Sequence, residues 1–126
     1  MGGGEIARYL SRHGGQRISQ IALVSSTVPK LDADPQAVTA ALDRLRAGYG
    51  QWVADFTTEL SKITLPALVL HGDHDAFAPL ETCGQRSAEL IPDSQLVVYG
   101  NAAHMLHLSH RERLNTDLLA FARSRD

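Results

Sequence analysis

The 126-residue sequence is poor in the features that mark several functional classes. It holds one cysteine, Cys83, so no internal disulfide can form, and this usage fits a reducing cytoplasm. No apolar run approaches the eighteen or so residues of a membrane helix. The N-terminus offers glycines and an amphipathic stretch in place of the basic and long apolar regions of a secretory signal. Charge is scattered: 12 Lys and Arg against 14 Asp and Glu leave a net charge of -2. Such a distribution lacks the basic footprint that holds nucleic acid or an anionic membrane, so neither is expected as a partner. No internal repeat is visible, and low complexity is confined to Gly2, Gly3 and Gly4. What is present is a 44% hydrophobic chain, long enough to bury roughly two thirds of its unfolded surface around one core.

Hydrophobic spacing orders the elements. Glu5, Ile6, Tyr9, Leu10 and His13 recur at helical intervals, with Gly14 and Gly15 as a stop. Ile21–Val24 is wholly apolar and partly β-branched, the pattern of a strand covered on both faces. From Lys30 to Lys62 the reading is helical. Asp34 caps a helix with Pro35 in its first turn and Val38, Ala41, Leu42 and Leu45 on its buried stripe, and Trp52, Val53, Phe56 and Leu60 mark another. Ala67–Leu70 is a second strand, preceded by Pro66. Leu80, Cys83, Ser87, Ala88 and Ile91 predict a helix ended by Pro92, with Gly84 inside it at a cost of ~1 kcal/mol. Leu96–Tyr99 is a third strand. The last helix is predicted to open on a Ser109–Glu112 capping box and to align Leu114, Leu118, Phe121 and Ala122 on one face. Strands alternating with helices predict an α/β fold, a three-layer sandwich of about three parallel strands with helices on both sides. Ile21–Val24 carries no charge, proline or glycine to protect an edge, so it is expected to have a neighbour, with a second copy of the chain as one option.

The chemistry gathers at two strand ends. His71 to Pro79 read H-G-D-H-D-A-F-A-P directly after one apolar run, and Leu96–Tyr99 empties into a loop carrying His104. Reactive groups of open α/β sheets collect at the carboxyl ends of strands, and neighbouring strands lie only ~4.8 Å apart. Asp75 and His104 are therefore expected to touch. Asp73 competes for the role of the acid, and an Asx turn is the ordinary alternative for either aspartate.

Taken together, M-G-G-G-E-I-A-R-Y-L-S-R-H-G, I-A-L-V-S-S-T-V-P, L-P-A-L-V-L-H-G-D-H-D-A-F-A-P and N-A-A-H-M-L resemble the α/β-hydrolase superfamily, most closely its small bacterial serine esterases and cofactor-free haloperoxidases. The resemblance spans nearly the whole chain. It implies a triad in the order nucleophile, acid, base, with Asp75 as the acid, His104 as the general base and Asp73 shaping the loop. It also implies that Met1 and Gly2 are the last positions of a G-x-S-x-G elbow whose serine belongs immediately before Met1. The Met1 nitrogen would then be a degenerate oxyanion-hole donor. The chain would be the C-terminal part of one domain, with residues 1–29 forming the helix and strand after the elbow, 30–62 a reduced helical cap, and 63–126 the acid- and base-bearing βαβα unit. The implied activity is ester, acyl or peracid chemistry on a small-molecule substrate without a cofactor. Little of it is expected from this chain alone, since the nucleophile is missing.

Two other classes accept the same sheet. One is a non-catalytic module that pairs through the Ile21–Val24 edge. The other is a metal-dependent hydrolase using His71, Asp73, His74, Asp75 and His104, although the H-G-D-H-D spacing matches no common zinc motif. His104, His107 and His110 fall three apart, yet only His110 is placed at a helix start, which argues against a shared ligand face. Ser25 and Ser26 leave the first strand at the functional edge without a G-x-S-x-G turn, and are read as serines bonding to backbone. Cys83 is read as a small buried hydrophobe.

Overall fold

A strand buried along its entire length organises the molecule. In the computed structural model, which describes residues 2–27 and 55–124, the order is α1 (Gly2–His13), β1 (Ile21–Val24), α2 (Thr57–Leu60), β2 (Ala67–Gly72), α3 (Gly84–Leu90), β3 (Ser94–Tyr99), α4 (Leu106–Ser109) and α5 (Arg111–Arg123). The three strands form one parallel sheet in the order β1-β2-β3. All six residues of the central strand β2 are buried. Alternate side chains of a strand point to opposite faces, and β2 divides accordingly. Ala67 and Val69 join Ala7, Leu10, Ile21, Leu23, Phe56, Leu60, Ile63 and Ile91 on one face. Leu68 and Leu70 join Tyr99, Ala102, Leu106 and Leu114 on the other. The sheet thus has α1, α2 and the end of α3 on one side and α4 with α5 on the other, the layering expected of a parallel sheet.

Several elements differ from the sequence reading. Helix α1 stops where predicted, at Gly14 with φ 68, but it buries Ala7 and Leu10 while Ile6 and Tyr9 stay exposed. Strand β2 runs two residues further than its apolar run, through His71 and Gly72. Helix α3 begins only at Gly84, so this glycine opens the helix and carries no interior penalty. The Ser109–Glu112 capping box does not form. Ser109 ends the short helix α4, its hydroxyl donates to the Met105 carbonyl at 3.3 Å, and α5 starts after His110 without a side-chain cap. On α5, Leu114 is buried, Leu118 and Phe121 are half-buried, and Ala122 is exposed. The predicted helix from Asp34 and the residues Trp52 and Val53 lie outside the described residues, as does most of the expected cap. Among the described residues no helix is long and apolar enough to cross a membrane.

Candidate active site

The carboxyl ends of β2 and β3 are laced together by backbone. The Asp73 N–H donates to the Tyr99 carbonyl at 3.1 Å and the His74 N–H to the Ala102 carbonyl at 3.0 Å. This approach requires glycine at position 72, because a Cβ there would overlap the Ala102 carbonyl oxygen. The lacing carries the loop after β2, with Asp73, His74 and Asp75, up against the loop after β3, with His104.

Asp75 is almost fully buried, and its carboxylate is well supplied with donors. Oδ1 accepts from the backbone N–H groups of Phe77 at 3.1 Å and Ala78 at 2.8 Å. Oδ2 accepts from Nδ1 of His104 at 2.8 Å. A carboxylate only accepts, so His104 carries its proton on Nδ1 and its Nε2 is left with a free lone pair. The His104 side chain is one-third exposed, at 34%, whereas that of Asp75 is wholly buried. An imidazole fixed in this tautomer, with its basic nitrogen directed away from the carboxylate, can take a proton from a nucleophile. The Phe77 ring lies 4.9 Å from the His104 ring at a tilt of 58°.

Asp73 is engaged elsewhere. Its Oδ1 accepts from His74 Nδ1 at 2.6 Å and from the Ala102 N–H at 3.3 Å. The hydrogen bond from His74 holds the Asp73 carboxyl below the ordinary carboxylate value, aided by the backbone bond from Ala102 and opposed by partial burial. The two aspartates thus serve different imidazoles, a division that spacing did not decide.

A third imidazole lies behind the pair. His71 is fully buried, its Nε2 donates to the Ala78 carbonyl at 2.7 Å, and the same nitrogen stands 3.4 Å from Oδ2 of Asp75. The sequence reading considered His71 only as a metal ligand. Its available signal was position, since it alternates with Ala67 and Val69 toward a buried face.

The other residues singled out in the sequence are not brought to this pair. Met1 lies outside the described residues. Cys83 is buried. Ser25 differs from its reading as a backbone-bonded serine: it adopts φ 45, and its buried hydroxyl has no partner among the described residues. His107 belongs to α4, and His110 bonds Ser109 Oγ at 2.8 Å. Among the described residues no group of three or more His, Cys, Asp or Glu is placed to hold a metal ion.

Comparison with known proteins bears on the fold. No protein-family model matches the chain. A non-heme chloroperoxidase of Kitasatospora aureofaciens is 29% identical over 177 residues, covering 96% of this chain and 64% of the relative. A bifunctional esterase/perhydrolase of Acinetobacter calcoaceticus is 44% identical over 70 residues, covering 56% of this chain and 25% of the relative. Among solved structures, an esterase from Exiguobacterium antarcticum superposes with a TM-score of 0.82 at 22% identity, covering 97% of this chain and 63% of that one. A bromoperoxidase from Bacillus anthracis gives 0.81 at 23% identity, covering 98% and 65%. The chain spans less than two thirds of the length of these proteins. It has the C-terminal portion of the α/β-hydrolase fold, and its homologues are non-heme chloroperoxidases, esterases and hydrolases.

Proposed function

We propose that this chain supplies the acid and base of a serine-hydrolase site of the α/β-hydrolase type, acting on small ester, acyl or peracid substrates in the cytoplasm. The observation that carries the reading is the 2.8 Å bond between a buried carboxylate and a partly exposed imidazole. In the reaction, His104 Nε2 takes the proton of a serine hydroxyl as the oxygen attacks the substrate carbonyl. Asp75 stabilises the imidazolium that forms. His104 then returns the proton to the leaving group, and water releases the acyl-enzyme by the same steps. The nucleophile is the part not found here, because the 126 residues contain no G-x-S-x-G.

The relatives carry residues that this chain lacks. The alignment with the Kitasatospora enzyme is 177 residues long, although this chain contributes at most its 126, so dozens of the relative's positions have no counterpart here.

With no serine at an elbow, this chain alone has negligible triad-type turnover. The test is p-nitrophenyl acetate hydrolysis by the purified chain, alone and mixed with the serine-bearing N-terminal part of a relative. No turnover alone, and turnover in the mixture that His104→Ala abolishes, is the expected result. Turnover by the chain alone that is lost on His104→Ala would overturn the statement that a nucleophile must be supplied.

A second reading has its own observation. Among the described residues nothing pairs with the outer edge of β1, and a groove of about 250 Å³ runs along it, lined by Gly3, Ile6 and residues 22–26. This edge would let two copies of the chain pair.

A further inference from the structure

We infer that His71 is a positioning residue for the Asp75–His104 pair, an inference that rests on the acid–base reading of that pair. A buried imidazole in the apolar side of a sheet is costly unless its polar atoms are used. Only one of the two nitrogens of His71 is used. Nδ1 is buried and has no hydrogen-bond partner among the described residues. It faces α3, where a Cβ on Gly84 would come within 2.7 Å of it. Close packing against the first residue of the helix leaves no place there for a donor. A leucine would fill this space without an orphaned nitrogen, so a core-filling role does not account for the histidine.

Nε2 does account for it. It meets a carbonyl oxygen, Ala78 O at 2.7 Å, and a carboxylate oxygen, Asp75 Oδ2 at 3.4 Å. Both are acceptors, which requires the proton on Nε2 and leaves Nδ1 as the bare nitrogen. The bond to Ala78 closes a loop of contacts around the acid. Asp75 Oδ1 binds the Ala78 N–H, and His71 holds the Ala78 carbonyl. The turn from Asp75 to Ala78 is therefore gripped from β2, with the carboxylate on one side and the imidazole on the other. Gly84 presses the His71 ring toward this turn from the opposite side. Released from that grip, the turn would swing and Oδ2 would no longer be held opposite His104 Nδ1.

The test reads tautomers by 15N NMR on the full chain at neutral pH, and needs no activity. In the unaltered protein His71 is expected as the Nε2–H form with a bare Nδ1, and His104 as the Nδ1–H form donating to Asp75. In His71→Leu, His104 is expected to become a mixture with at least about a fifth of the Nε2–H form, while backbone signals away from residues 71–78 and 101–105 stay in place. His71→Gln, whose amide nitrogen can reach the Ala78 carbonyl, is expected to restore the single Nδ1–H form. A folded His71→Leu protein with His104 unchanged would overturn the inference, as would an Nδ1–H tautomer of His71 in the unaltered chain, a result that requires no variant to fold. A His104 without the Nδ1–H form in the unaltered chain would instead remove the acid–base reading itself, and this inference with it.

Discussion

Asp75 Oδ2 and His104 Nδ1 lie 2.8 Å apart although 29 positions separate the residues, and helix α3 and strand β3 run between them. The contact follows from parallel pairing. The β2–β3 register sets Gly72 opposite Tyr99, so both loops leave the sheet at the same level.

Replacing Asp75 by Asn tests what the carboxylate does. Its two oxygens accept from the Phe77 and Ala78 N–H groups on one side and from His104 on the other. An amide must turn its NH2 toward one of these donors. Leaving a buried donor unpaired costs about 1–3 kcal/mol, to be read by urea unfolding. If the NH2 faces His104, the imidazole must accept through Nδ1 and move its proton to Nε2, which 15N NMR would show as an inverted tautomer. In an enzyme completed with a serine, loss of the correct tautomer predicts a fall in turnover of roughly 10⁴-fold. Unchanged stability and tautomer in the folded variant would deny Asp75 this role.

Gly72→Ala and Gly100→Ala make a matched pair. A methyl group at position 72 would overlap the Ala102 carbonyl and come within 2.9 Å of the Ala103 carbonyl oxygen, both backbone atoms of the His104 loop. At position 100 the nearest contact of a methyl is Asp73 Oδ2 at 3.9 Å, an ordinary van der Waals distance. Thermal unfolding should show a loss of about 1–3 kcal/mol for Gly72→Ala and a change within about 0.5 kcal/mol for Gly100→Ala. Equal effects would mean that the lacing of the two loops is not what glycine 72 permits.

These contacts mark where sequence reasoning stops. The strands were legible because burial on both faces writes a continuous apolar run, as in Ile21–Val24 and Ala67–Leu70. The last two residues of β2 were not, because His71 is polar and Gly72 reads as a turn, while their burial depends on tertiary contacts with Ala78, Gly84 and Ala102. The Ser109–Glu112 pattern matched a capping box, yet Ser109 is already spent in the turn before α5, where its hydroxyl serves Met105. Ile6 and Tyr9 fitted the helical period equally well with Ala7 and Leu10, and only the packing of α1 against α2 and the sheet distinguishes the two faces. At the site, strand ends predict that Asp75 and His104 approach. The allotment of Asp73 to His74 depends on loop geometry that spacing does not encode.

Tyr99 predicts an alkaline limit to stability. Its ring is buried at the end of β3, its hydroxyl donates to Asp117 of α5, and the Arg113 guanidinium stands 4.1 Å over the ring. Burial, then the bond to and charge of Asp117, push the phenol well above its ordinary value of 10.0, with Arg113 opposing. A raised value in the folded state means that the unfolded chain loses this proton first. The contribution is therefore complete below about pH 10 and declines as the pH rises above it, by up to ~1.4 kcal/mol per pH unit. Tyr99→Phe should cost about 1 kcal/mol at neutral pH, and the gap to the unaltered protein should narrow above pH 10. Urea unfolding at pH 7 to 11 reads both, and a gap independent of pH would refute the assignment.

The edge of β1, which nothing among the described residues pairs, predicts association when the chain is produced alone. Unpaired backbone donors and acceptors along an apolar strand recruit another strand, and the side chain of Val24 at its end is exposed. The exposed Ile6 and Tyr9 of α1 extend the apolar surface beside it, with Ile6 lining the adjoining groove. Sedimentation velocity should then show a species larger than the 13.7 kDa chain, growing with concentration. Val24→Lys places a charge where a second strand would pack and should shift the distribution toward monomer without unfolding the protein, because Val24 is not part of either buried cluster. A monomer at every concentration would show that this edge does not pair with a second copy.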